Sequence, residues 1–510
     1  METGAKKAEK RLSTAGTKSV LRKYRSSSHG AVLFLLAGTN GDRKKDMPLD
    51  NTETIAAIAT PPGTGGIGII RISGPASIAI ACSLFHRKGI AGPAAPHDLI
   101  SHRLTLGHIC DPTGGEILDE VLVVAMRSPR SFTGEDVVEI QAHGGPWLLR
   151  SILALVLDQG ARLADPGEFT RRAFLSGRMD LTQAEGMMDL IEARTSAARK
   201  MGSALLRGEL GMEVTRLREA LLELATRMAA EIDFPEDVGD LVDTEQVLRD
   251  LQENFLPELR RFIRMGENGV RLREGLRIVI AGLPNAGKSS VMNRLLAMDR
   301  SIVTDIPGTT RDLVEEPLNL AGLPFVLTDT AGIRDSSDPI EKMGVERAME
   351  SIRNADCVLL VMDALRGADK EICGLEETIR SCPYLLVLNK SDLVDDCDAI
   401  AIPSSWRPVA RLSLCARTGE GMDSLRKALA EFAGFSEVQH AALPNLRHRA
   451  AFEKAMEALE RVHGGILAGH FWDLLSVDLN AAIQEFGNIL GENADPDLLD
   501  RIFSGFCIGK

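Results

Sequence analysis

The chain is poor in aromatic residues. Phenylalanine, tryptophan and tyrosine make up 4% of its 510 positions, so stacking on exposed bases is not a main binding device. Its eight cysteines include no C-x-x-C pair. That argues against a zinc ribbon and a disulfide framework, and for a reducing compartment. Long apolar runs are also missing. The longest, A-V-L-F-L-L-A-G at 31–38, falls well short of the roughly 18 residues that a membrane helix needs. Nor is there an excess of positive charge: the formal net charge is −13, which excludes a general nucleic-acid coat and leaves RNA binding to a local basic patch or a partner. What is present is ordinary globular composition, 44% hydrophobic and 26% charged, which excludes wholesale disorder, collagen and coiled-coil rods. At about 150 residues per domain the length predicts about three domains.

Residues 1–46 differ from the rest. They carry 11 Lys/Arg against 4 Asp/Glu, a local net charge of +7 that leaves −20 for the remainder. A basic, Ser-rich, acid-poor stretch fits a transit peptide, and 31–38 resembles the core of a signal peptide with no clean cleavage site after it. The reading favoured here is a disordered extension, or an upstream start with Met47 as the true beginning. The expected location is then the cytoplasm, or the mitochondrion if 1–46 is a transit peptide.

After Met47 the pattern changes three times. Short β-branched runs (I-G-I-I-R-I, V-L-V-V-A-M, D-V-V-E-I-Q-A) separated by Gly and Pro predict an α+β domain over 50–167. Helical spacing of apolar residues takes over across 168–274. From 275 to 434, near-continuous apolar strands each followed by a helix predict a parallel sheet buried on both faces. Residues 435–510 return to helix. The fold expected is multidomain α+β and α/β, with an α/β domain inserted into a helical one and no internal repeat.

The sharpest motif is Gly282-Leu-Pro-Asn-Ala-Gly287-Lys288-Ser289. It matches G-x-x-x-x-G-K-[ST], with an apolar strand before it and a helix after. Its backbone N–H groups, those of Asn285, Ala286 and Gly287 included, are placed to wrap phosphate oxygens, and Ser290 continues the helix whose N-terminus adds positive potential. Lys288 reaches the outer phosphates and Ser289 ligates Mg²⁺. Asp329-Thr330-Ala331-Gly332 supplies a D-x-x-G, and Gly308-Thr309-Thr310-Arg311-Asp312 a switch threonine, Thr310, for Mg²⁺. Asn389-Lys390-Ser391-Asp392 selects the base. Guanine offers N1–H and N2–H side by side to one carboxylate, Asp392; adenine presents an acceptor at N1 and leaves that carboxylate unpaired. The substrate expected is GTP.

Two features depart from a Ras-like site. Ile333 follows Gly332 where a water-orienting Gln is expected, and no arginine finger is marked, so another group must stabilise the transferring phosphoryl charge. Asn285, inside the phosphate loop, offers an oxygen to a monovalent cation.

Further motifs extend the pattern beyond the nucleotide site: A-T-P-P-G-T-G-G-I-G-I-I-R-I-S-G at 59–74, S-F-T-G-E-D-V-V-E-I-Q-A-H-G-G-P at 131–146, P-G-E-F-T-R-R-A-F-L-S-G-R-M-D-L-T-Q-A-E at 166–185, and the terminal F-C-I-G-K. On these, over essentially all of 50–510, the chain resembles the MnmE (TrmE) family of tRNA-modifying GTPases. The resemblance implies an N-terminal folate-binding domain, a central helical domain and an inserted Ras-like G domain. It implies a homodimer that works with the FAD protein MnmG on tRNA. Together they install a carboxymethylaminomethyl or aminomethyl group at position 5 of the wobble uridine, with 5-formyl- or methylene-tetrahydrofolate as one-carbon source. Hydrolysis is then coupled to G-domain dimerisation.

The resemblance also implies residue roles. Asn285, Thr304, Ile306 through its backbone, and Thr309 would hold K⁺; Ser289 and Thr310 would hold Mg²⁺. Glu341, otherwise a solvated helix glutamate, would orient the attacking water beside Lys288. The folate site would comprise Arg71, Glu139, Arg178 and Lys510. A pterin presents the same donor pair as guanine, so one carboxylate, Glu139, suits it; the cationic groups suit folate carboxylates or the one-carbon group.

Gly63-Thr-Gly65-Gly-Ile-Gly68 fits G-x-G-x-x-G, but a β-rich run follows it and no acid lies about 20 residues on, so it is not a dinucleotide site. Cys507 is either a catalytic thiol or a small residue in a docked tail. The fifth GTPase motif reads Ser413-Leu-Cys415-Ala416-Arg417, longer than the family's S-A-R or S-A-K, with Cys415, Ala416 and Arg417 expected to face guanine. The rival readings are a regulatory GTPase switch of ribosome-assembly type and a plain P-loop ATPase.

Overall fold

The computed structural model describes residues 53–234, 242–298, 315–329, 350–434 and 442–510. They divide into two compact units. One lies within Met1–Met179, Leu222–Val242 and Glu492–Lys510, the other within Asp180–Leu221 and Asp243–Gly491.

The first unit is built on a seven-stranded sheet in the order β3-β4-β5-β6-β2-β1-β7. Its strands are β1 (Ile55–Ile58), β2 (Gly65–Ser73), β3 (Phe85–Arg87), β4 (Thr105–Cys110), β5 (Ile117–Met126), β6 (Val137–Gly144) and β7 (Arg162–Leu163). All neighbours are antiparallel except β1 and β7. Period-two alternation sends Ile70, Ile72, Val123, Val138 and Ile140 to one face. There they bury against α1 (Ser77–Leu84) and α2 (Pro146–Asp158). Arg71, Glu139, Leu106 and Leu122 therefore point to the other. At its β1 edge that second face packs Ile55 and Ala57 on Phe169 of α3 (Glu168–Leu175). The Gly63–Gly68 stretch runs into strand β2, not a helix.

The second unit begins with α4 (Leu181–Glu192) and α5 (Ser196–Leu206). Asp180 and Gln183 close a reciprocal capping box at the start of α4. The chain continues through α6 (Glu209–Asp233), which belongs to the second unit as far as Leu221 and to the first from Leu222, and then through α7 (Thr244–Asp250) and α8 (Leu256–Glu274) of the second, these two joined by a π turn at Leu251–Phe255. Gly275, at φ 84, ends α8 and turns the chain into β8.

The inserted sheet runs β13-β12-β11-β8-β10-β9. It comprises β8 (Leu276–Ala281), β9 (Glu315–Leu320), β10 (Leu323–Asp329), β11 (Cys357–Asp363), β12 (Tyr384–Asn389) and β13 (Ala410–Leu414), with α9 (Lys288–Met298), α10 (Lys370–Ile379) and α11 (Met422–Ala433) between and after them. Every pairing is parallel but β9–β10. Strands β11 and β12 are buried almost throughout, which is why their sequences read as unbroken apolar runs. The chain then enters α12 (Leu446–Leu467), α13 (Trp472–Leu490) and α14 (Pro496–Ser504). Phe452 of α12 stacks on Phe262 of α8, ring centres 4.7 Å apart, and meets Phe486 of α13 edge-on.

Candidate functional site

Parallel strands deliver their C-terminal ends to one edge of the sheet, where open α/β folds bind ligands. Here Asp329 of β10 pairs with Ile280 of β8, and Asp363 of β11 pairs with Asn389 of β12, which also pairs with Leu414 of β13. The phosphate loop, the D-x-x-G aspartate, the N-K-S-D segment and the fifth motif thus emerge side by side.

The phosphate loop leaves β8 through Gly282 at φ 157 and enters α9 through Gly287 at φ 92. Both are conformations that side chains resist. Asn285 adopts φ 62 between them, a left-handed turn that Asn tolerates. The Lys288 Nζ donates to the carbonyls of Gly282 (2.9 Å) and Leu283 (3.1 Å), folding the ammonium back over the loop that a phosphate would fill. Ser289 and Ser290 follow on the exposed start of α9.

Asn389 ties three motifs together. Its Nδ2 donates to the Ala286 carbonyl (2.8 Å), and its Oδ1 accepts from the Ala416 N–H (3.1 Å). A Cβ on Gly287 would collide with that same Asn389 amide. Lys390 stands at φ 64, with its Nζ 2.6 Å from Asp363 Oδ2. Asp392 accepts from the Cys415 thiol, and its Oδ2 lies 2.8 Å from Arg417 Nη2. The Cys415 thiol bond and the Arg417 charge hold the carboxyl below its ordinary range, so it is an anion ready to accept two donors. This fixes the register of the fifth motif: Ser413 and Leu414 finish β13, Cys415 bonds back to the Glu420 carbonyl, and Cys415, Ala416 and Arg417 all face the N-K-S-D segment. Thr304, Asp305, Ile306, Pro307, Gly308, Thr309, Thr310, Thr330, Ala331, Gly332 and Glu341 lie outside the described residues.

The second constellation sits on the first unit. Arg71 and Glu139 are direct neighbours across β2 and β6. Arg71 Nε and Nη2 lie 2.9 and 2.8 Å from Glu139 Oε1, and its Nη1 donates to the Gly509 carbonyl at 3.1 Å. The guanidinium carbon lies 5.5 and 5.7 Å from the ring centres of Phe132 and Phe169. Arg71 is thus engaged in orienting Glu139 and seating the C-terminal tail, which sequence reasoning did not foresee for it. The tail is clamped elsewhere too. Gly167 N–H donates to the Cys507 carbonyl at 3.4 Å, and a Cβ on Gly509 (φ 93) would run into the Ile58 carbonyl. Lys510 ends the chain two residues past exposed Ile508, its N–H on the Cys507 carbonyl, and the Cys507 side chain is exposed. Exposed Arg178 follows α3, its stem against the loop that carries Phe132 and Gly134.

Beneath that loop lies a network not visible in the sequence. Arg172, 4% exposed, bonds Glu135 and Glu168 and the Glu53 carbonyl; Ser73 bridges Thr133 and Glu135. Arg162 also donates to both oxygens of Glu168. The one sequence signal was the acid–base density of P-G-E-F-T-R-R.

Residues 181–507 match the model of the MnmE helical domain, and residues 54–178 that of the GTP-binding protein TrmE N-terminus. The tRNA modification GTPase MnmE of Syntrophobacter fumaroxidans is 44% identical over 467 residues, 90% of this chain and 98% of the relative. That of Chloroflexus aurantiacus is 45% identical over 462 residues, 90% and 100%. The chain belongs to the MnmE family. Among solved structures, Era from Aquifex aeolicus bound to GDP and AlF4− covers 36% of this chain and 66% of its own at 25% identity, with a TM-score of 0.26. The six-stranded sheet, parallel but for one edge hairpin, makes the inserted domain α/β. Among the described residues no helix is long and apolar enough to cross a membrane.

Proposed function

We propose that this chain is a GTP hydrolase of tRNA modification. With a partner FAD protein, MnmG, it adds a carboxymethylaminomethyl or aminomethyl group to carbon 5 of the wobble uridine. The observation that carries the nucleotide half is Asn389, which ties the phosphate loop to the fifth motif and places anionic Asp392 beside them. An anionic carboxylate held there accepts guanine's two donors and rejects adenine.

The residues suit the implied ions. Asn285 turns at φ 62 inside the phosphate loop, where its amide oxygen serves K⁺ with Thr304, Ile306 and Thr309. Ser289 serves Mg²⁺ with Thr310. The ions supply charge stabilisation at the transferring phosphoryl group; Lys288 binds the outer phosphates, and Glu341 orients water. Folate is read by Glu139, which Arg71 holds in place through one oxygen, Oε1. Arg178 and Lys510 then meet its anionic or one-carbon end. A homodimer is supported by exposed Ile67, Leu106 and Leu122 on the sheet face that carries Arg71 and Glu139. The working location is the cytoplasm.

Two measurements test this. Hydrolysis of GTP is measured in potassium and in sodium; equal rates contradict the cation role of Asn285. Wobble-uridine nucleosides are measured by mass spectrometry in cells with and without the gene, and with a copy starting at Met47. An unchanged profile, with no second gene copy present, would favour the regulatory switch.

A further inference from the structure

The β9–β10 hairpin joins the two segments that surround the γ-phosphate in the reading above. Strand β9 starts at Glu315, shortly after Thr310, and β10 ends at Asp329. The far end of this hairpin is the turn Ala321–Gly322, with φ 53 and 85. The Asn319 side chain closes the turn by accepting the Gly322 N–H at 3.0 Å.

That turn contacts α5. The Gly322 carbonyl accepts the N–H of Ala197 at 3.3 Å. This N–H belongs to the first turn of α5, where a helix has no carbonyl of its own to offer. The next amide, Ala198, is taken by the Thr195 side chain, so the hairpin completes the cap. The approach is close: a Cβ on Gly322 would stand 2.5 Å from Ser196 Oγ.

From α5 the packing stays tight. A Cβ on Gly186 of α4 would stand 2.5 Å from Leu205 Cβ, and one on Gly202 of α5 would stand 2.6 Å from the Leu190 backbone nitrogen. Helix α4 in turn holds Arg273 through Asp189 and Arg447 through Glu185. Those two arginines stand where the chain leaves for the inserted sheet and where it returns. One set of close contacts thus runs from the hairpin turn to both crossings.

We propose that the Ala321–Gly322 turn is a relay that reports the nucleotide state to helix α5. The hairpin is a short paired unit, so a displacement at Asp329 moves its turn as well. Close-packed contacts of this kind shift between discrete arrangements rather than deform gradually. Gly322 is a positioning residue here and touches no nucleotide. The proposal rests on the GTP reading.

The test is hydrogen exchange of the full chain with Mg²⁺ and K⁺, saturated either with GDP or with a non-hydrolysable GTP analogue. The peptide that starts α5 is expected to exchange about fivefold or more differently in the two states. In Gly322→Asn, which keeps the left-handed turn but adds a side chain where Ser196 stands, that difference is expected to fall below about twofold. Identical exchange of α5 in both states of the unaltered protein overturns the relay, as does a full difference that persists in Gly322→Asn. Nucleotide titration separates the two readings. A chain that binds no guanine nucleotide sinks the GTP assignment; one that binds it while α5 stays silent sinks the relay alone.

Discussion

Arg447 and Glu185 stand 262 positions apart and meet in a two-point ion pair, Nε to Oε1 at 2.9 Å and Nη2 to Oε2 at 2.8 Å. The remaining Arg447 donors reach the Asn488 and Ile489 carbonyls at the end of α13. His448, fully buried, adds its Nε2 to Glu185 Oε2 at 2.7 Å. Its Nδ1 accepts the Asn445 N–H at 3.2 Å, so the ring is neutral and Nε2 carries the proton. One helical turn along α4, Asp189 receives Arg273, which also donates to the Leu443 and Pro444 carbonyls. One face of α4 thus fastens both ends of the inserted sheet's connections.

Glu185→Gln leaves the half-buried Arg447 guanidinium without its counter-charge. Burial alone would raise the Glu185 carboxyl, but His448 and Arg447 outweigh it and hold the group well below the ordinary carboxylate range. Removing one member of a fully buried pair costs about 3–5 kcal/mol, so the low end, about 3 kcal/mol, is expected for this partly exposed one. A urea-unfolding midpoint that drops accordingly is expected. Replacing both partners, Glu185→Leu with Arg447→Met, is expected to recover most of the loss.

Acid acts on the same cluster through His448. Burial lowers its affinity for a proton, Arg447 and Arg273 add to this, and Glu185 opposes them. The folded ring therefore titrates below its ordinary 6.5, and the unfolded chain binds the extra proton first. Stability is complete above about pH 6.5 and falls as the pH drops, by up to ~1.4 kcal/mol per pH unit for one proton. Between pH 7 and 5 the unfolding midpoint of the native protein is expected to decline more steeply than that of His448→Gln. Parallel slopes would show that another group carries the dependence.

None of this cluster was legible in the sequence. Glu185 and Asp189 look like solvated positions on an amphipathic helix, and their partners lie more than 80 residues away. Long-range ion pairs leave no local signature. The parallel sheet was legible because strands buried on both faces must be apolar throughout. The phosphate loop and N-K-S-D were legible because their chemistry depends on residues adjacent in sequence. Arg71 and Glu139 are an intermediate case. Their residue types followed from the family resemblance, but the direct bond between them comes from the β2–β6 register, and the approach of Phe132 and Phe169 to Arg71 from tertiary packing.

Asp392→Asn tests the base selection. The amide cannot accept two donors as the carboxylate does, so GTP affinity is expected to fall by on the order of 100-fold. Xanthosine triphosphate, with a carbonyl where guanine has its amino group, is expected to gain. Fluorescence competition with GTP, ATP and xanthosine triphosphate reads the order. Unchanged preference for GTP would remove Asp392 from recognition.

Arg71→Lys separates orientation from charge. Lysine keeps the cation but has no planar fork with which to span Glu139 and the Gly509 carbonyl together. Glu139 then loses its fixed setting, and the tail loses one of its ties. Affinity for 5-formyl-tetrahydrofolate, measured by calorimetry, is expected to fall about tenfold. Proteolysis of the last residues is expected to speed up in the same variant. Gly509→Val strikes the tail alone, because its Cβ meets the Ile58 carbonyl at a backbone φ of 93 that valine resists. If folate affinity falls equally in both variants, the tail is part of the site and Arg71 acts mainly by seating it. If only Arg71→Lys weakens binding, the arginine acts through Glu139.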